Sequence, residues 1–230
     1  MKEELEQIRE KFSKLADKER AVNSKRYLKS PYDFYGLKCP DMRTICKDYK
    51  KLNFYSALNL FDELWNSGNH EEMCFGLYLI SSYAKQNQIE IWNFLTQRLD
   101  KIKTWDHVDE MCGHTLGVIL ADNIHLTSEI KKMSDSKNPW IRRASIISTC
   151  KLISKGKIDL TLLLAEKLVY DNDIYVQKGA GWMLREAGKR NRLAVRDFIL
   201  RHLDMKSNAF SYATEKMIEL RKIRNEKRIY

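Results

Sequence analysis

The densest run of acids and aromatics in the chain is Thr104-Trp-Asp-His-Val-Asp-Glu110. Trp105 and Asp109 are four residues apart, so in a helix one sits above the other. An ionised carboxylate beside an indole suits the stabilisation of a developing cation. It is less suited to donating a proton. A purely structural reading stands beside this one, with Asp106 as an N-cap and Asp109 completing a capping-box-like pair. Both readings put Asp109 in a first helical turn, where the macrodipole favours its charged form and the neighbouring Asp106 and Glu110 oppose it.

Other chemistries find little footing. The sequence contains no Walker loop, no GxGxxG and no GxSxG, which argues against ATP, dinucleotide and serine-hydrolase chemistry. His107 and His114 are seven apart and could share a helix face, but no metal-ligand spacing accompanies them, so no metal or other cofactor is expected. Cys39, Cys46, Cys74, Cys112 and Cys150 are odd in number and form no CxxC pair, as in a reduced, cytoplasmic protein. Tyr27, Tyr32, Phe34 and Tyr35 form an aromatic cluster that either stacks on bases or packs a segment between helices.

The elements that must carry these residues read as helices nearly throughout. Met73, Leu77, Ile80 and Ala84 step by four, three and four, as one helical face requires, and Leu160, Leu164 and Leu168 do likewise. Val176, Ala180 and Met183 form a further such stripe. Pro40 reads as a first-turn proline, Asn138-Pro139 as a cap and first-turn pair, and Asp173 as a cap. Asn138-Pro-Trp-Ile-Arg-Arg-Ala144 aligns with Asp173-Ile-Tyr-Val-Gln-Lys-Gly179 at a shift of 35, and Trp105 lies 35 before Trp140. A period of this length built from helix pairs indicates an α-solenoid of HEAT, armadillo or tetratricopeptide kind. The expected fold is thus all-α, a right-handed superhelix forming a single domain over 1–230, with one concave face. Arg143 and Lys178 share a repeat position and should project alike. One turn on, Ile147 of one repeat becomes Trp182 of the next, an exchange that marks either a site or a larger gap near the end of the array.

Composition agrees. The 230 residues hold only nine glycines and three prolines, too few for a turn-rich β architecture, and are 43% hydrophobic, enough for a core. No apolar run reaches membrane-spanning length and no secretory signal is expected. The net charge of +10 is lopsided. Residues 1–120 hold 18 basic and 18 acidic side chains, whereas residues 121–230 hold 23 and 13. The excess in one half points to a polyanionic partner.

The segments YLKSPYDFYGLKCPDMR, WDHVDEMCG, NPWIRRASI and YVQKGAGWMLREAGKRN resemble, in order and spacing over roughly residues 20–200, the AlkD-type DNA alkylation repair family, HEAT-like-repeat DNA glycosylases. The resemblance implies hydrolysis of the N-glycosidic bond of cationic alkylpurines such as N7-methylguanine and N3-methyladenine in duplex DNA, by a monomer that starts base excision repair. By position it assigns catalysis to Asp109, with Trp105 and Trp182 as active-site indoles. It places Arg143 on the DNA backbone and Tyr27 at the edge of the site. Arg142, Lys178, Lys189 and Arg190, in the same signatures, are expected to join in DNA binding, as is Lys38, where the family pattern favours Gln. Arg185 and Glu186 read as an ion pair. Two rival readings remain: a non-catalytic solenoid that binds unusual or damaged nucleic acid, and a protein-interaction scaffold.

Overall fold

The computed structural model describes residues 2–227, and among these every regular element is helical. An isolated bridge between Asp33 and Asn69 is the one β pairing among them. No described helix is long and apolar enough to cross a membrane. The chain clusters into two compact units divided between Met111 and Cys112.

The first unit contains α1 (Lys2–Leu15), α2 (Lys18–Leu28), α3 (Cys39–Cys46), α4 (Phe54–Trp65), α5 (His70–Ser81), α6 (Gln88–Thr96) and α7 (Trp105–Met111). Its centre is α5. The expectation of a single apolar face there understates the burial: every residue from His70 to Ile80 is buried, and the helix ends before Ala84. Asn69 caps it by accepting from the backbone of Glu71 and Glu72. Gly76 lets α5 lie close on α4, since a Cβ there would stand 3.1 Å from the Phe61 ring. Pro40 stands in the first turn of α3, as its position in the sequence implied.

Two acids in the first turn of α5 organise the segment before α3. The Glu71 carboxylate accepts from the backbone nitrogens of Tyr35, Gly36 and Leu37 at 2.8–3.1 Å. Glu72 takes both arms of the Arg9 guanidinium at 3.0 Å each and the Tyr35 hydroxyl at 2.9 Å. Gly36 is required at the turn, because its φ is +83° and a Cβ would fall 2.1 Å from the Asp17 carbonyl. Tyr35 packs edge-on against Phe12, and Phe34 stacks on His70. Three of the four clustered aromatics therefore pack a segment between helices, while Tyr27 is 74% exposed.

The second unit contains α8 (Gly117–Asp122), α9 (Thr127–Met133), α10 (Pro139–Ile147), α11 (Cys150–Ser154), α12 (Asp159–Leu168), α13 (Ile174–Gly188), α14 (Arg192–Arg201), α15 (Ser207–Ala213) and α16 (Ile218–Lys227). A π-helical turn, Cys112–Leu116, precedes α8. The Asn138 side chain caps α10 and the Asp173 side chain caps α13. Helices α5, α7, α10 and α13 begin at residues 70, 105, 139 and 174, so the period extends one step further back than Trp105. Trp140 and Tyr175, equivalent in the two aligned repeats, pack ring to ring at 5.2 Å.

The stripe Val176, Ala180 and Met183 is fully buried in α13, whereas in α12 Leu164 and Leu168 are buried and Leu160 is part-exposed. The described part of the C-terminal segment caps the array: Leu220 is buried, and Arg224 lies over the Phe210 ring and donates to the Met205 carbonyl. Residues 228–230 lie outside the described residues.

The contact of α13 with α15 is closest at Gly181, where a Cβ would meet the Ala209 carbonyl at 2.4 Å and the Tyr212 Cβ at 2.7 Å. At Gly179 the nearest atom, at 3.0 Å, is the tip of the Arg143 side chain, which can move. Gly181→Ala is expected to lower unfolding free energy by about 1–3 kcal/mol, and Gly179→Ala by clearly less. Urea unfolding midpoints test the order, and equal midpoints for the two variants would contradict it.

Candidate active site

The first unit presents Trp105, Asp109 and Tyr27. Trp105 is the first residue of α7, and both it and Asp109 are part-exposed. Because the helix starts at Trp105, Asp106 is its second residue and not its cap, and Asp109 falls just past the first turn. The Tyr27 ring meets the Trp105 indole edge to face at 6.1 Å. Lys38 is exposed at the N-terminal end of α3, where its carbonyl accepts from Asp41 and Met42.

The three acids of the segment divide by face. Asp106 and Glu110 lie four apart, and each is engaged by a cationic or imidazole side chain of its own unit. Arg43 reaches Glu110 at 2.8 Å and lies 4.0 Å over the Tyr78 ring. His70 Nε2 is 2.9 Å from Asp106 Oδ2. Burial alone would raise the Asp106 carboxyl. The hydrogen bond from His70 and the nearby imidazoles outweigh burial and hold it down at about 2. Asp106 is therefore an acceptor only, and the proton of this bond belongs to His70 Nε2.

His107 extends the network. Burial and the neighbouring His70 push its imidazole down to about 4, so it is neutral near pH 7. Its Nε2 lies 3.2 Å from the His70 carbonyl, which can only accept, so the ring proton sits on Nε2. Nδ1 then accepts from the Thr104 hydroxyl at 3.0 Å. The result is a circuit of three hydrogen bonds, Thr104 to His107, His107 to the His70 carbonyl, and the His70 ring to Asp106. It ties the residues on either side of Trp105 to the start of α5. The rings are stacked as well, His70 lying between Phe34 at 4.5 Å and His107 at 4.2 Å.

His70, Cys74 and His107 bring potential metal-ligand atoms within 4.8 Å of one another. Their arrangement suits packing better than coordination. The His70 and His107 rings face each other, stacked at 25° with centroids 4.2 Å apart. Both His107 nitrogens are also engaged.

The second unit presents the other expected residues. Trp182 is part-exposed and lines a hollow of 330 Å³ together with Cys150, Met183, Glu186, Lys189 and Arg190. Its repeat counterpart Ile147 is buried, so the change to indole occurs at an opening and not in a sealed gap. Lys189 and Arg190 are exposed. Lys189 reaches Glu186 at 2.6 Å, and Glu186 also pairs with Arg185, the ion pair read from the sequence.

The repeat-equivalent cations differ. Lys178 is part-exposed, 5.8 Å over the Tyr175 ring. Arg143 is only 5% exposed, lies across Gly179 and donates to the Tyr175 carbonyl at 2.5 Å. Arg142 makes a two-armed ion pair with Asp171 at 2.6 and 2.9 Å.

Reading the sequence did not single out His70, Thr104 or Arg43. The period held a signal for His70, because aromatic or imidazole rings stand at 70, 105, 140 and 175, each at or next to a helix start.

His107 makes stability depend on pH. The folded chain keeps this ring neutral down to about pH 4, whereas an unfolded chain protonates it near 6.5. The unfolded state thus binds the extra proton between those values. The contribution is complete above pH 6.5 and is lost as pH falls towards 4, by about 3 kcal/mol in the limit. Urea unfolding from pH 7 to pH 4.5 is expected to show a steeper loss for the wild type than for His107→Gln, and parallel losses would contradict this assignment.

The chain matches the family described as DNA alkylation repair enzyme over residues 8–217. A solved structure, described as a predicted DNA alkylation repair enzyme from Enterococcus faecalis, superposes with a TM-score of 0.77 at 18% identity, covering 88% of this chain and 96% of that one. That likeness is one of fold. No curated protein sequence matches the chain. With a match spanning nearly its whole length, this all-α protein of stacked helices belongs to the DNA alkylation repair enzyme family.

Proposed function

We propose that the protein is a DNA glycosylase that hydrolyses the N-glycosidic bond of positively charged alkylpurines, of the N7-methylguanine and N3-methyladenine type, in duplex DNA. The observation that carries this reading is the placement of Asp109, part-exposed, one turn after the part-exposed Trp105 on the same face of α7. In this reading Asp109 is the catalytic carboxylate and Trp105 its neighbouring indole. Trp182 serves as a second indole in the other unit.

The chemistry fits these side chains. Alkylation at N7 or N3 already makes the purine cationic, so the base leaves with the bonding electron pair as a neutral molecule and needs no general acid. The deoxyribose left behind develops oxocarbenium character at C1′. A fixed carboxylate stabilises that charge, and water adds its oxygen to C1′ while releasing a proton. An indole face against a cationic base contributes about 0.5–2 kcal/mol.

Binding draws on the excess of basic residues in the second unit. Lys178, Lys189 and Arg190 are the accessible cations of the expected set in the second unit and Lys38 in the first, where Tyr27 adds an exposed ring. Arg142 and Arg143 act in this reading chiefly by ordering the start of α13, through Asp171 and the Tyr175 carbonyl. Release of counterions from phosphates makes such binding fall steeply with salt.

Asp109→Asn is expected to keep its fold and its affinity for alkylated duplex and to lose about 10²–10³ in the single-turnover rate of N7-methylguanine release. Abasic sites revealed by alkaline cleavage of an alkylated oligonucleotide report the rate. Undiminished release by the variant removes Asp109 from the mechanism. Salt-sensitive duplex binding without release by the wild type favours the non-catalytic binder, and no binding at low salt favours the scaffold.

A further inference from the structure

The largely buried circuit around α7 has no contact with substrate in the reading above, yet it brackets the residue that opens the reactive helix. Thr104 and Asp106 are its two ends on the α7 side, and Trp105 lies between them. Successive helical residues are turned by about 100°. Asp106 and Glu110 form one face, fixed in the first turn by His70 and in the second by Arg43. Trp105 and Asp109 form the adjacent face, each one residue earlier. Pinning the first face therefore sets the direction of the second.

His70 is the junction of the circuit. Its ring donates to Asp106, its carbonyl accepts from His107, and its ring is clamped between Phe34 and His107. The clamp resists tilting and the hydrogen bond resists sliding.

We propose that His70 is the positioning residue of the reactive helix, fixing through Asp106 the rotation of α7 and hence the direction in which Trp105 and Asp109 face the substrate. This rests on the glycosylase reading for its catalytic consequence, though the positioning itself is a property of the fold. His70 is not catalytic: it is 5% exposed and acts only through other residues. The side chain of a glutamine at position 70 offers an N–H donor in place of Nε2–H but no ring to stack, which separates the hydrogen bond from the clamp.

The test compares His70→Ala and His70→Gln with wild type and with Phe198→Leu, a buried core variant in α14 of the second unit that is expected to lose stability. Duplex carrying one N7-methylguanine is the probe, and the chain carries 5-fluorotryptophan, with the Trp105 resonance assigned from Trp105→Phe. His70→Ala is expected to bind the duplex like wild type, to lose about 100-fold in single-turnover release, and to shift the Trp105 resonance. His70→Gln is expected to recover most of the lost rate, and Phe198→Leu to leave rate and resonance in place at temperatures where it is folded. An unchanged rate in His70→Ala, an unmoved Trp105 resonance, or an equal rate loss in Phe198→Leu overturns the proposal. If the wild type releases no base, the glycosylase reading fails by itself. The Trp105 resonance in His70→Ala then decides the positioning alone, its shift supporting the proposal and its constancy refuting it.

Discussion

The first unit depends on how an ionised carboxylate is kept largely out of solvent. Asp106 is held as an anion beside two nearly or fully buried imidazoles, and a charge in that position is tolerated only when its hydrogen bonds are made. His70 makes the decisive one. Its position at the first residue of α5 then couples two helix starts that are 35 residues apart in the chain. Much else in the unit depends on the same end of α5, where Glu71 gathers three backbone nitrogens of the preceding segment and Glu72 binds Arg9 and Tyr35. Several polar or charged groups converge on one helical turn, and Glu71, Glu72 and the His70 Nε2 each find a partner in a different part of the chain.

The second unit solves a different problem. Its helices must approach closely while the surface carries an excess of basic side chains. Glycine makes the approach possible at Gly181, and at Gly179 it opens a lane for Arg143. Arg143 and Lys178 occupy equivalent repeat positions, yet one is buried and the other is not. The neighbouring repeat makes the difference: α10 has α13 packed beside it to accept its arginine, through Gly179 and the Tyr175 carbonyl. Sequence equivalence in a repeat predicts direction, but burial depends on the adjoining helices. The guanidinium groups of Arg142, Arg143 and Arg224 make hydrogen bonds within the protein, so the positive field of the unit does not come only from side chains exposed for direct contact.

Much of this was legible in advance. The helical class, the caps at Asn138 and Asp173, the first-turn prolines and the period near 35 all rest on local chemistry and appear where it put them. The Arg185–Glu186 pair was legible for the same reason. The role of Asp106 was not. As a cap it would have needed only its own neighbours, whereas its partner is His70, and pairing over that distance leaves no local trace. The burial of α5 on all sides was hidden likewise, because the stripe Met73, Leu77, Ile80 and Ala84 marks one face only, and Glu71 and Glu72 are buried by a segment that comes from elsewhere in the chain. Tyr32, Phe34 and Tyr35 separated from Tyr27 only once the first three were seen to pack inward.

The proposed activity stands or falls on which way the face bearing Trp105 and Asp109 points when DNA is bound. A crystal structure of the full chain with a duplex containing a single abasic analogue measures this directly. The expected result is the Asp109 carboxylate facing the deoxyribose at the lesion, the Trp105 indole beside it, and the His70–Asp106 bond intact. A duplex bound with that sugar facing other residues, and Asp109 turned away from it, would contradict the proposed mechanism.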